Sequence, residues 1–184
     1  MTDERLSTLA TLLEQKGRKQ YGLDNVTQLQ HALQAATLAE ADGGGDALIA
    51  AALLHDIGHM VHGLDGNPAA AGIDDRHEKL GQRWLARWFG PEVTEPVRMH
   101  VAAKLYLCAT EPDYFARLGP DSVRSLVLQG GPMSPEEATA FRATPHADAA
   151  IRLRRYDEAA KRSDAETPPV SHFLPYVGRA AGVT

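Results

Sequence analysis

Residues 51–60 read AALLHDIGHM. The apolar run from Ala50 to Leu54 belongs in a core, yet His55, Asp56 and His59 follow it without a break. Polar groups beside a core are costly unless hydrogen bonds, opposite charges or a metal satisfy them. Working outward from this stretch, nearly every periodic segment has helical rather than alternating spacing. Leu6, Leu9, Leu12 and Leu13 line a first helix that ends at Gly17. DNVTQLQHALQAATLAEADGGG (24–45) predicts a second, with Asp24 as its cap and three glycines as its stop. A third runs from near Asp46 through His59. HGLDGNPAAAGIDD (62–75) reads as a long loop of the kind that forms lids or binding loops.

Beyond it, RHEKLGQRWLARWFG (76–90) predicts a helix, and TEPVRMHVAAKLYLCAT (94–110) another, with a cap-and-proline signature at Thr94 and Pro96. PDSVRSLVLQGG gives a short helix ended by glycine. Ser134 and Glu137 form a capping box around Pro135. Thr144 and Pro145 open the last long helix, which carries RRYDEAAK (154–161). The expectation is an all-α fold, a compact helical bundle forming a single domain over residues 1–184, with its core at about 21–164 and an irregular tail over 165–184.

The 184 residues, 43% hydrophobic and 23% charged, suit a soluble globular domain. The net charge of -5 argues against general nucleic-acid binding, which needs a basic surface. A local positive pocket on an acidic protein still admits an anionic small molecule. The single cysteine, Cys108, fits a reducing compartment. No signal-peptide pattern and no run near the ~20 apolar residues of a membrane span is visible, so the expectation is a cytoplasmic protein away from membranes. No partner protein is identifiable.

The chemistry-bearing residues are scattered. His55 and His59 stand four apart, which one helix would place on one face. His31, His77, His100 and Asp157 each fall on a different expected helix. Any one of these histidines alone is more often a hydrogen-bonded core or surface residue. As a set they match the way bundles build metal sites, from inward side chains on facing helices. Imidazole and carboxylate without thiolate suit Fe or Mn, and do not exclude Zn.

His31, His55-Asp56 and Asp157 together resemble the H…HD…D signature of the HD-domain superfamily, many of whose members are metal-dependent phosphohydrolases. His77 and His100 match the subset that holds two metals. The stretches QLQHALQAA, AALLHDIGHM, HEKLG, HVAAKLYL, LVLQGGPM and RRYDEAAK resemble, in order and spacing from about Tyr21 to Asp164, the HD-domain mixed-valent di-iron oxygenases of organophosphonate degradation.

That resemblance implies two Fe ions as an Fe(II)/Fe(III) pair. His31, His55, Asp56 and Asp157 would hold one, and Asp56 would bridge to a second held by His77 and His100. It also implies substrate contacts at His59, Lys104, Ser122, Gln129 and Arg154, where a phosphonate would meet its donors. The local pattern supports two of these. Lys104 lies one helical turn beyond His100, and Arg154 lies three residues before Asp157, so each pair shares a helix face. Ser122 reads equally as a helix cap and Gln129 as a helix-end residue. Tyr21 and Asp24 match positions that meet an iron and the substrate's cationic end. Asp24 stands where the family commonly has glutamate, and it reads equally as a cap.

The implied activity is O2-dependent cleavage of the C–P bond of a 1-hydroxy-2-(amino or trimethylammonio)ethylphosphonate, giving phosphate and glycine or glycine betaine. The alternative is an HD phosphohydrolase acting on a nucleotide or another phosphate ester. A third reading is a catalytically silent HD module that binds a ligand.

Overall fold

The structure is a computed structural model that describes residues 4–20, 25–61 and 76–183. Among the described residues, ten α-helices and one short 3-10 turn make up the regular structure, and there is no strand. They are α1 (Glu4–Lys16), α2 (Gln28–Ala41), α3 (Asp46–Leu54), α4 (Ile57–Val61), α5 (His77–Leu85), α6 (Pro91–Thr110), α7 (Pro120–Leu128), α8 (Pro135–Arg142), α9 (Ala147–Ala159) and α10 (Val170–Ala180). The 3-10 turn is Phe115–Arg117. No helix among these residues is long and apolar enough to cross a membrane.

The centre of the bundle is α3. Every residue from Leu48 to Leu54 is buried, as a helix that is apolar all round must be. It packs on α2, α6, α9 and α10. Alanines set the closeness of the first of these contacts. Ala35, Ala36 and Ala39 of α2 and Ala50, Ala51 and Ala52 of α3 are fully buried, so the two backbones approach without intervening long side chains. This close packing brings His31 of α2 next to His55 at the end of α3.

The third predicted helix is two helices in the molecule. Its ladder stops at Leu54, His55 and Asp56 form a turn, and α4 starts at Ile57. The break turns His55 and Asp56 toward the interior, and the expected single helix through His59 does not form. Gly58 then lies against the first residue of α5. A Cβ there would stand 2.0 Å from the His77 carbonyl oxygen, so only glycine admits this crossing.

Other expected boundaries also move. The cap of α2 is Thr27, in a capping box with Gln30, and not Asp24. The α6 helix begins at Pro91 behind Gly90, one turn before the expected Thr94, and Pro96 sits inside it. Proline tolerates the first turn because its missing N–H has no helical acceptor there. The α9 helix begins at Ala147, after His146 in the left-handed region at φ 66°.

The expected irregular tail is largely helical. Residues Val170–Ala180 form α10, which packs on α3 and α1. Val170, Phe173 and Val177 recur at helical spacing and are buried, Phe173 completely. Pro169 and Pro175 disguise that pattern. Pro169 precedes the first helical residue, and Pro175 is carried within the helix.

Candidate metal centre

Four helices and one turn bring the six expected ligands together. His31 comes from α2, His55 and Asp56 from the turn after α3, His77 from the start of α5, His100 from the middle of α6, and Asp157 from α9. His31, His55, Asp56, His100 and Asp157 are buried, and His77 is slightly open.

Their ring nitrogens are assigned by their partners. The Nδ1 atoms of His31, His55 and His100 donate to the carbonyl oxygens of Ala160 (2.8 Å), Ala52 (2.8 Å) and Val97 (2.6 Å). A carbonyl only accepts, so each Nδ1 carries the proton. In the neutral rings each Nε2 then presents a lone pair. The Nε2 atoms of His31 and His55 stand 3.1 Å apart, and those of His77 and His100 stand 3.2 Å apart. In their neutral forms His31 and His55 turn lone pairs toward each other, and His100 turns one toward His77 Nε2, an arrangement that a cation between each pair would satisfy.

The carboxylates complete the pattern. Asp56 Oδ2 lies 3.6 Å from His31 Nε2 and 3.4 Å from His55 Nε2. Asp56 Oδ1 lies 3.4 Å from His77 Nε2 and 3.6 Å from His100 Nε2. The two oxygens of one carboxylate therefore face two different histidine pairs. Asp157 Oδ1 closes the first group, 3.4 Å from His31 Nε2 and 3.9 Å from His55 Nε2. Asp56 Oδ2 and Asp157 Oδ1 are buried and accept no hydrogen bond. Two donors each about 2.1 Å from one ion stand about 3.0 Å apart at right angles and about 3.4 Å apart at the tetrahedral angle. The spacings here fit two such ions sharing Asp56.

Electrostatics favours the metal-ready forms of most of these groups. Burial holds the His100 pKa down at about 3, helped by His77. Burial likewise lowers that of His55. His31 goes the other way: burial opposes its protonation, but Asp157 and Asp56 beside it raise its pKa. Burial works against the charged form of Asp56 and Asp157. The neighbouring imidazoles overcome that for Asp56, and Arg154 followed by the imidazoles overcomes it for Asp157, so both stay below the ordinary carboxylate range.

His59 sits at the half-buried edge of the cluster on α4, its ring stacked on His77 at 4.0 Å between centroids. Asp56, His59 and His77 also present atoms close enough to one another to hold one ion. His100 is the more enclosed partner for His77, and His59 is the more exposed one.

Beside the histidines lies a group of cations. Lys104, one turn beyond His100, donates to Ser125 Oγ at 2.6 Å. Burial, then the charge of Arg154, pushes its pKa down to about 7. Arg154 is buried and reaches four acceptors: Tyr114 Oη, Asp157 Oδ2, Ser122 Oγ and Glu158 Oε2. Burial opposes its charge, but Asp157, Tyr114 and Glu158 raise its pKa further above the ordinary guanidinium value. Ser122 is not a cap, since Gly119 holds that place in α7. Its hydroxyl instead accepts from Arg154 (3.1 Å) and Lys161 (3.3 Å) and donates to Glu158.

Gln129 closes α7, and its Oε1 is buried without a hydrogen bond, though no contact ties it to the cations. Tyr21, Asp24, His62 and the loop over 62–75 lie outside the described residues. Four residues of this frame were missed in the sequence: Tyr114, Ser125, Glu158 and Lys161. Only Glu158 left a signal there, standing four residues after Arg154 on one helix.

Residues 29–143 match the HD domain family. A 1-hydroxy-2-(trimethylamino)ethylphosphonate dioxygenase, glycine-betaine-forming, from Leisingera caerulea is 45% identical over 91% of this chain and 86% of its own length. A hydroxymethylphosphonate dioxygenase from Gimesia maris is 42% identical over 92% of this chain and 85% of its own length. The match covers the elements that carry His31, His55, Asp56, His77 and His100, and with these relatives in view the chain belongs to the HD-domain family.

Proposed function

We propose that this chain is a di-iron oxygenase that uses O2 to cleave the C–P bond of a 1-hydroxyphosphonate bearing a trimethylammonio group at carbon 2, with phosphate and glycine betaine as products. The observation that carries the reading is the division of the Asp56 carboxylate. Its Oδ2 faces His31 and His55 and its Oδ1 faces His77 and His100, beside the cations of Lys104 and Arg154.

His31, His55 and Asp157 would hold one ion, His77 and His100 the other, and Asp56 would bridge them. When bound, a pair of iron ions in the Fe(II)/Fe(III) state supplies the redox chemistry by which O2 oxidises carbon 1. The donor set suits iron, being imidazole and carboxylate with no thiolate.

The protein's own contribution is placement. Lys104 and Arg154 give a doubly anionic phosphonate two cationic donors in a pocket where water competes poorly. Ser122 of α7 would donate to a remaining oxygen by turning its hydroxyl from Glu158, and Gln129 at the end of that helix would supply a further amide donor. His59, at the open edge, is placed to meet the substrate beside His77. Fixing the phosphonate fixes carbon 1 relative to the metals, and such positioning is worth several orders of magnitude in rate. Tyr21 and Asp24 would meet the ammonium end, and the trimethylamino substrate of the Leisingera relative supports a quaternary group there.

The test is iron-reconstituted protein in an oxygen electrode with three substrates: the trimethylammonio compound, its primary amine counterpart and hydroxymethylphosphonate. Oxygen uptake matched by phosphate release is expected, fastest with the first. Phosphate released equally well under argon would replace the oxygenase with a phosphohydrolase. Protein that takes up no transition metal would leave only a binding module.

A further inference from the structure

An arginine has five N–H donors in a fixed plane. In Arg154 the protein itself occupies four of them. Nε donates to Tyr114 Oη at 3.0 Å, and Nη2 donates to both Ser122 Oγ at 3.1 Å and Glu158 Oε2 at 2.5 Å. Nη1 donates to Asp157 Oδ2 at 2.5 Å. Among the described residues no acceptor takes the fifth N–H, which is on Nη1, the nitrogen that already touches Asp157 beside the histidines.

The acceptors on the far edge are themselves held. Tyr114 is only 3% exposed, in the chain between α6 and α7. Glu158 is the shared acceptor of this region: Oε1 accepts from the Gly119 N–H (3.0 Å) and from Lys161 Nζ (3.1 Å), while Oε2 takes Arg154 and the Ser122 hydroxyl. One carboxylate thus joins α9 to the start of α7.

We propose that Tyr114 and Glu158 are positioning residues for the phosphonate: they clamp the Nε and Nη2 edge of Arg154, so that its last free donor is aimed beside the metal centre before substrate arrives. The inference rests on the phosphonate reading above. Without Tyr114, a buried Nε–H loses its acceptor, and the guanidinium must turn to satisfy it. Without the Glu158 charge, Arg154, Lys161 and Ser122 lose their common acceptor, and the Nη2 edge of the guanidinium is no longer fixed. In both cases the anion pays for ordering its own donors, and its affinity falls.

The experiment uses full-length, iron-loaded protein with Tyr114→Phe, Glu158→Gln and Glu158→Asp. Methylphosphonate binding is measured by calorimetry under argon, KM and kcat by oxygen uptake, and iron per chain by metal analysis. Tyr114→Phe is expected to weaken methylphosphonate binding and raise KM roughly tenfold, and Glu158→Gln by more, since it removes a charged acceptor. The Glu158→Asp variant should recover part of the Glu158→Gln loss. Iron should stay at the wild-type level and kcat should move far less than KM. A merely structural role would instead lower iron content and kcat together.

Folded Tyr114→Phe with wild-type methylphosphonate affinity, or a KM that holds while kcat and iron fall, overturns the proposal and leaves the oxygenase reading standing. A wild-type protein that binds no methylphosphonate overturns both.

Discussion

The two halves of the pocket are secured by different means. In the histidine half, orientation comes from the main chain. The Nδ1 protons of His31, His55 and His100 rest on carbonyls of Ala160, Ala52 and Val97, which no substitution can delete. In the cationic half, orientation comes from side chains. Lys104 rests on Ser125, and Arg154 rests on Tyr114, Ser122, Asp157 and Glu158. On the proposed function, single substitutions would therefore retune anion binding without touching the histidine rings. The difference also sets what each half is ready to receive. Burial keeps His55 and His100 neutral and metal-ready, while Arg154 is held permanently charged.

Asp157 touches both halves, and its loss should have the largest effect. Its Oδ1 faces His31 and His55 and its Oδ2 accepts from Arg154. Asp157→Ala should remove one metal and leave Arg154 without its nearest countercharge. Metal analysis should show no more than one ion per chain, and oxygen uptake should fall below detection. Full activity would remove Asp157 from the ligand set.

A second break is backbone-made. Gly58→Ala would drive a Cβ to 2.0 Å from the His77 oxygen, so α4 and α5 must part. Overpacking of this kind costs about 1–3 kcal/mol. The lower urea midpoint should be accompanied by selective loss of the ion near His77, with the His31 and His55 side retained. Loss of both ions together would mean that the two clusters are not separable.

Orientation of a ring by a carbonyl is open to test at His31. His31 is the exception among the three, because its carbonyl belongs to another element. That segment is held by Gln34, whose amide donates to the Arg162 carbonyl (2.8 Å) and whose oxygen accepts from the Arg162 N–H (3.0 Å). Gln34→Leu should free residues 160–162 and weaken metal binding at His31 by about 10–100-fold, the usual cost of losing an outer hydrogen bond to a ligand. Competition with a chromophoric chelator measures it directly.

The same division explains what the sequence disclosed. The candidate ligands were legible as candidates because of what they are: His31, His55, Asp56, His77, His100 and Asp157 are conspicuous types at motif spacings, and the structure gathers all six. The helices that carry them were legible from apolar spacing. The turn at His55-Asp56 was not, because nothing in AALLHDIGHM breaks the helical pattern until the backbone meets α5. The α10 helix was hidden behind Pro169 and Pro175, although Val170, Phe173 and Val177 are spaced for it. The supporting frame of Arg154 was almost unreadable. Tyr114, Ser125 and Lys161 are ordinary residues whose roles exist only once α6, α7 and α9 converge.

The smallest expected effect tests the cationic half through pH. Lys104 has a hydroxyl partner rather than a carboxylate, and burial leaves its pKa at about 7. Arg154, matched by Asp157 and Glu158, keeps its charge throughout. Below about pH 7 both cations meet the phosphonate, whereas above it Lys104 sheds its proton and offers a neutral amine. Bound phosphonate favours the protonated form, so its affinity must fall as pH rises through that value. The expected record is a KM that climbs several-fold from pH 7 to 9, and a Lys104→Arg variant in which that climb flattens, because guanidinium does not titrate there. Only KM should respond, since Lys104 is assigned to the anion rather than to the metals. A climb that persists unchanged in the arginine variant would assign the titration to another group and leave Lys104 neutral or already locked by substrate across the whole range.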